Sequence, residues 1–133
     1  MSKLTVEIVT PERVVYSGEA KMVIVRGVSG ELGILPQHMP IVSPLKVAPV
    51  RILFEEGKET IIAVSGGFME VSDNKVTILA ESAELPGDID PDRAEEAKRR
   101  AEKRLSDKTS DLDIKRAEYA LQRAIMRLDV SQK

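Results

Sequence analysis

Six arginines fall at spacings that could do chemistry. Arg93, Arg100 and Arg104 are separated by steps of seven and four residues, and Arg116, Arg123 and Arg127 repeat the same steps. On a helix, steps of seven and four return to nearly the same angle, so each trio lies along one face. If the two helices fold together, the rows could converge into a cluster of guanidiniums, whose planar forks suit bidentate capture of phosphate oxygens. A helix start at Asp90 and Pro91 would add backbone N–H groups and a positive dipole end. The Asp90 carboxylate beside it repels an anion, however, and better suits a ribose hydroxyl or an amine. The bland alternative is a solvated face on which the arginines pair with Glu95, Glu96 and Glu118, the default for charged helices. Asp90 alone is equally readable as a plain helix cap.

Other chemistries find little support. The single histidine, His38, sits between Pro36 and Pro40 and is either a contact residue or a surface side chain in a tight loop. Glu31 follows Gly30 in an expected turn and is exposed by default. Cysteine is absent, which excludes disulfides and thiolate metal sites, and one histidine excludes a His-rich metal cluster. There is no Walker-type glycine loop, and no Ser, His and Asp set that makes an enzyme of this chain. A small nucleotide hydrolase built on the arginine cluster would lack an evident base and metal-binding carboxylates.

Two kinds of element must position these residues. Up to Ala83 the period is two: Leu4, Val6 and Ile8 alternate with polar neighbours, as do Ala20, Met22 and Ile24, and β-branched runs recur at 50–54, 60–64, 68–71 and 75–80. Turns are expected at 27–30, 55–58, Gly66 with Gly67, and 72–74. Many short strands without intervening helices indicate an antiparallel β-sandwich or barrel. Pro36, Pro40, Pro44 and Pro49 mark a stretch that should be irregular or edge-like.

Pro86 and Gly87 mark the boundary, giving a sandwich over 1–86 and a helical domain over 87–133. Asp90 then Pro91 is a strong helix start. Ala94, Ala97, Ala101 and Leu105 recur at helical spacing, a break falls at 106–110 with Ser110 or Asp111 as the next cap, and Ile114, Ala117, Leu121, Ala124 and Leu128 form a narrow seam. Such helices fold back as an antiparallel hairpin. Alanine seams bury little area, at about 0.8 kcal/mol per CH₂. The hairpin should therefore be marginal alone and able to exchange one partner surface for another.

A net charge of −2 argues against wholesale binding to nucleic acid or acidic lipid. Basic residues concentrate late, however, with 12 of the 20 Lys and Arg from Asp88 onward. No signal-peptide core and no run near the roughly 20 apolar residues of a membrane span is present, so a soluble cytosolic chain is expected, free to dock on something membrane-embedded.

Three separated segments carry a family resemblance across essentially the whole chain: Ser29-Gly-Glu-Leu-Gly-Ile-Leu-Pro-Gln-His-Met-Pro40, Ser65-Gly-Gly-Phe-Met-Glu-Val71 with Val76-Thr-Ile-Leu-Ala80, and Ile89-Asp-Pro-Asp-Arg-Ala94. The first two resemble the N-domain signature of epsilon subunits of F-type ATP synthases. The third looks like the motif with which nucleotide-binding bacterial members open the first C-terminal helix. The resemblance implies a sandwich of about ten strands plus a helix hairpin, non-catalytic, bound to the gamma subunit at the base of the central stalk and turning with it. It places Glu31 and His38 toward the membrane c-ring, at the cytoplasmic face of a bacterial membrane, peripheral and not inserted. The hairpin would lie folded on the sandwich, or extend along gamma toward the α and β subunits and inhibit hydrolysis, with Lys98 to Arg104 facing acidic β-subunit loops. No cofactor is required. ATP is implied as an allosteric ligand held by Glu84, Ile89, Asp90, Arg93, Ala94, Arg100, Arg123 and Arg127. The rival is a free-standing adaptor or carbohydrate-binding sandwich with a dimerising hairpin.

Overall fold

The computed structural model describes residues 3–107 and 111–133, and the chain divides into two compact units, Met1–Leu85 and Pro86–Lys133. In the first, alternating apolar residues build strands β1 (Leu4–Val9), β2 (Val14–Ala20), β3 (Met22–Gly27), β4 (Gly30–Ile34), β5 (Ile41–Leu53), β6 (Glu59–Ser72), β7 (Lys75–Ala80) and β8 (Ala83–Glu84). Their order is β2-β1-β7-β6-β5-β3-β4, with β8 beside β6. The pairing is antiparallel except for β1 on β7, which is parallel, so the sheet is mixed where an all-antiparallel one was expected. The ladder is continuous. The long β5–β6 hairpin lies near the middle of it, and the sheet's eight strands roughly match the ten or so expected.

That hairpin corrects one expectation and decides between the alternatives of another. Gly66 and Gly67 do not reverse the chain; they kink β6 within a single strand, with φ of 86° and 132°. Glycine is required at Gly67, where a Cβ would collide with the Leu79 carbonyl oxygen on β7. Pro44 and Pro49 lie inside β5, not in irregular chain. Pro49 falls where the register of β3 on β5 skips from Gly27↔Leu45 to Ile24↔Arg51, and Pro44 falls just beyond the Gly27↔Leu45 pair, so both lie edge-like on the β3 side, where β5 has no partner and their missing N–H interrupts no β3–β5 bond. The expected turn at 72–74 is a two-residue hairpin, Asp73 and Asn74 both at positive φ between the paired Ser72 and Lys75.

The core is aliphatic and mostly β-branched. Val6, Ile8, Val23, Ile34, Ile52, Ile62, Val64, Met69, Val76 and Ile78 are all sealed from solvent, with Tyr16 and Phe54 packed against their rim. Filling the space between layers with branched side chains suits a pleated surface and needs no polar partners.

In the second unit, α1 (Pro91–Asp107) and α2 (Asp111–Ser131) pack together as a hairpin. Asp90 caps α1: its Oδ1 accepts from the Asp92 N–H at 3.0 Å and the Arg93 N–H at 3.3 Å, while Pro91 takes the first helical position. The expected cap of α2, Ser110 or the Asp111 side chain, lies outside what is described. Ala94, Ala101, Ala117 and Ala124 are the most deeply buried members of the expected seams, whereas Leu105, Ile114, Leu121 and Leu128 are only half-buried. Met126 and Val130, which the seam spacing did not include, are buried as well.

Candidate functional site

The pairing of α1 with α2 brings four of the six arginines to one place. A groove of about 220 Å³ is lined by Ala97, Arg100, Ala101 and Arg104 from α1 and by Ala120, Arg123, Ala124 and Arg127 from α2. Each helix contributes two alanines and, one turn apart, two arginines. Small side chains keep the space open between the helices, and guanidiniums border it from both sides. Arg123 is steadied by the Tyr119 ring one turn before it, with its guanidinium carbon 5.7 Å from the ring centroid.

The electrostatics of the groove are one-sided. No acidic residue lines it. Among the described residues no carboxylate lies within salt-bridge distance of Arg100, Arg104 or Arg123, so these three do not pair with Glu95, Glu96 or Glu118, although all three stand exposed, as the solvated-face alternative expected. Arg127, the half-buried member, has a contact of its own. Guanidiniums brought together in this way repel one another, and an anion entering between them removes the repulsion while offering acceptors to their forks. Arg104 also borders a neighbouring hollow shared with Asp107, Asp113 and Arg116.

The remaining expected residues stand elsewhere. Ile89 is buried and Asp90 is engaged as the cap, while Arg93 is exposed in the first turn of α1. Ala94 belongs to the seam, seven residues and so about 10 Å along the helix from Ala101. None of these four lines the groove. Glu84 is on β8 opposite Ala63, in the first unit, with a contact of its own. The expected set thus separates into Arg100, Arg123 and Arg127 around one groove, a second group of Ile89, Asp90, Arg93 and Ala94 at the helix start, and Glu84 on β8. Arg104, present in the arginine row but absent from the positions implied by resemblance, joins the groove.

Glu31 is exposed near the start of β4, opposite Arg26. His38 follows that strand in a turn closed by its own N–H donating to the Leu35 carbonyl at 3.2 Å, and its Nδ1–H donates to the Met39 carbonyl at 2.7 Å. Asn74 holds this loop from across the sheet: its Oδ1 accepts from the Gln37 N–H at 2.9 Å, and its Nδ2 donates to the Lys3 carbonyl at 2.7 Å. Leu35 and Met39 beside His38 are exposed apolar residues.

One feature escaped the strand pattern. Register places Val14, Val9, Leu79, Phe68 and Pro44 side by side on five adjacent strands. All five point away from the core; Val14, Leu79 and Phe68 are each more than half exposed. This is an apolar row across one outer face. The signal was present in β6 and β7, where apolar residues occupy both phases of the alternation, as in Phe68-Met69 and Ile78-Leu79-Ala80.

Among the described residues no helix is long and apolar enough to cross a membrane, and no cluster of metal-ligating side chains forms. The architecture defines a class: a β-sandwich with one open apolar face, followed by an alanine-seamed helical hairpin that encloses an arginine-lined groove. Residues 3–86 match the family described as ATP synthase, Delta/Epsilon chain, beta-sandwich domain, and residues 88–132 match its long alpha-helix domain. The ATP synthase epsilon chain of Brevibacillus brevis is 70% identical over 132 residues, covering 99% of this chain and 100% of the relative. The same fold recurs in a chain of the Euglena gracilis mitochondrial ATP synthase (OSCP/F1/c-ring), with a TM-score of 0.82 at 21% identity over 100% of this chain and 83% of that one. It recurs again in the central stalk/c-ring of the Tetrahymena thermophila mitochondrial ATP synthase, with a TM-score of 0.66 at 15% identity over 96% and 95%. The chain belongs to the ATP synthase delta/epsilon family, and within it to the bacterial F-type epsilon subunits.

Proposed function

We propose that this chain is a non-catalytic rotor subunit of a proton-translocating F-type ATP synthase that restrains ATP hydrolysis through its hairpin and senses ATP with the groove between α1 and α2. The observation that carries the sensing role is the convergence of Arg100, Arg104, Arg123 and Arg127 on a space without an acidic neighbour. An occupant there touches both helices and so favours their closed pairing. A ligand bound only to the closed hairpin stabilises it by RT ln(1 + [L]/Kd), about 2.7 kcal/mol at a hundredfold excess over Kd. That is enough to move a switch whose helices meet through Ala94, Ala101, Ala117 and Ala124. When open, the same basic helices reach along gamma toward acidic loops of the β subunit and block rotation in the hydrolytic direction.

The sandwich supplies the anchorage in this reading. The Val14, Val9, Leu79, Phe68 and Pro44 row meets the gamma subunit, and Glu31 on β4 and the loop carrying His38 meet the c-ring at the cytoplasmic face of the bacterial membrane. The chain needs no cofactor and enters no bilayer. Support comes from family membership and from likeness to chains solved within F1/c-ring and central-stalk assemblies.

The test is truncation after Pro86 in the assembled enzyme. Hydrolysis should rise while proton coupling persists, and equal hydrolysis with and without the hairpin defeats the regulatory role. For sensing, Arg123→Ala should weaken ATP binding in titration calorimetry without unfolding the sandwich; unchanged affinity removes the groove as the ATP site.

A further inference from the structure

The loop that carries His38 has little of its own to hold it in place. Residues 35–40 join β4 to β5, and two of them, Pro36 and Pro40, have no N–H to give. The His38 N–H closes a turn inside the loop, and its Nδ1–H also stays within it, on the Met39 carbonyl. The Gln37 N–H points outside, to Asn74 Oδ1 at 2.9 Å. Among the described residues no other side chain reaches this loop from outside to bond it. Leu35 and Met39 are exposed, so apolar packing does little to fix them.

Asn74 stands where glycine is the least strained choice, at φ 61° in the two-residue turn between β6 and β7. A side chain is useful there for bonds that glycine cannot make, and Asn74 makes two. Its Oδ1 accepts from Gln37, and its Nδ2 donates to the Lys3 carbonyl at 2.7 Å. The partners dictate which way the amide faces, because a backbone N–H only donates and a carbonyl only accepts. The main-chain carbonyl of Asn74 accepts the Thr5 N–H at 3.1 Å as well. One residue thus fastens the loop to the turn and to the chain entering β1, across separations of 37 and 71 residues. Gln37 is itself at φ 65°, so the bond it receives supports a disfavoured backbone.

We infer that Asn74 is a positioning residue for the c-ring contact: its amide fixes the Gln37 backbone, and with it the place at which His38 and Met39 are presented. This rests on the proposed meeting of the His38 loop with the c-ring. A loop released from the clamp spreads over several placements, and only a fraction of them can dock.

Two variants separate the side chain from the turn. Asn74→Gly keeps the positive φ and removes the clamp, whereas Asn74→Asp keeps the acceptor for Gln37 and removes the donor to Lys3. In the full chain, amide exchange at Gln37 should be about tenfold faster or more in Asn74→Gly and within about threefold of the unmodified chain in Asn74→Asp. Exchange at the buried Ile78 on β7 should be unchanged in both. Because the chain has no cysteine, Met39→Cys puts a single thiol in the loop. In the assembled enzyme it is oxidised against single cysteines placed along the stalk-facing loops of the c subunit, and a disulfide requires Cα atoms within about 7 Å. Asn74→Gly should lower the yield at the best c position by about threefold or more, and Asn74→Asp should retain it. Equal yields in all three backgrounds overturn the positioning role and leave the c-ring contact standing; no cross-link in any background defeats the contact and the inference with it. Unchanged Gln37 exchange in Asn74→Gly, or an equal rise in Asn74→Asp, overturns the clamp. Faster exchange at Ile78 in Asn74→Gly would make Asn74 a general stabiliser of the sandwich and not a positioning residue.

Discussion

Replacing Phe68 by threonine tests whether the outer apolar row is an interface. Phe68 is 55% exposed, between Pro44 on one side and Leu79 on the other. A phenylalanine side chain offers roughly 200 Å² for burial, so about 100 Å² remains to be covered by a partner. At about 25 cal/mol per Å² that area contributes about 2.5 kcal/mol to docking. Threonine retains a small part of it, leaving a loss of about 2 kcal/mol, or roughly thirtyfold in Kd. The isolated chain should hardly respond, because the residue points outward, threonine remains a strand former, and the lost cross-strand contacts are worth less than about 1 kcal/mol. Glu70→Gln, two residues along the same face of β6, is the control and should shift binding less than twofold. The assay is calorimetric or interferometric binding of each full chain to purified gamma subunit, with urea midpoints measured alongside. Should Phe68→Thr bind gamma within threefold of the unmodified chain while keeping its urea midpoint, the row is not the anchoring face and the argument from exposure is wrong.

Asp90→Ala removes the acceptor of two first-turn N–H groups and should cost about 1 kcal/mol, seen as severalfold faster amide exchange at Asp92 and Arg93, whereas Asp90→Asn should remain near the unmodified chain. Gly67→Ala should destabilise the sandwich by about 3 kcal/mol through positive-φ strain and collision with the Leu79 carbonyl; Gly57→Ala, at φ 74° in open space, should cost about 1–2 kcal/mol, and similar urea midpoints for the two would refute the close-approach argument. Burial raises the Tyr16 hydroxyl pKa above the ordinary 10.0, so the folded state holds its proton more tightly than the unfolded one. Stability is therefore whole below pH 10.0 and falls as pH rises beyond it; Tyr16→Phe should lessen that alkaline fall in the urea midpoint, and an identical pH profile would deny the coupling.

What could be read from sequence was whatever depends on neighbours along the chain. Asp90 and Pro91 announce a helix start because capping is settled within three residues, and Leu4, Val6 and Ile8 announce a strand because alternation is settled within five. Pro44 and Pro49 left irregular and edge-like chain open for the complementary reason. Whether a strand tolerates proline depends on which of its sides meets another strand, and where β3 leaves β5 unpaired, around Pro49 and beyond Leu45 at Pro44, is not written in β5 alone. Gly66 and Gly67 signalled positive φ correctly, but a kink and a reversal use the same local conformations. The apolar row was equally hidden, since its five members are neighbours only through four inter-strand registers, one of them parallel.

The groove shows the same division more sharply. Angular arithmetic puts three arginines on one face of each helix, yet which of them meet depends on the register in which α1 and α2 pack against each other. That register joins Arg100 and Arg104 to Arg123 and Arg127, and leaves Arg93 about 10 Å from the nearest groove arginine along α1. Alanine then acts twice. At Ala94, Ala101, Ala117 and Ala124 it lets the helices approach while giving little burial, and Ala97 and Ala120, with parts of Ala101 and Ala124, keep the space between them open. Larger side chains at these positions would strengthen the pairing and fill the groove together. A hairpin that holds itself shut without help would thus have no room for the proposed ligand, and weak intrinsic pairing is the structural condition of the proposed sensing.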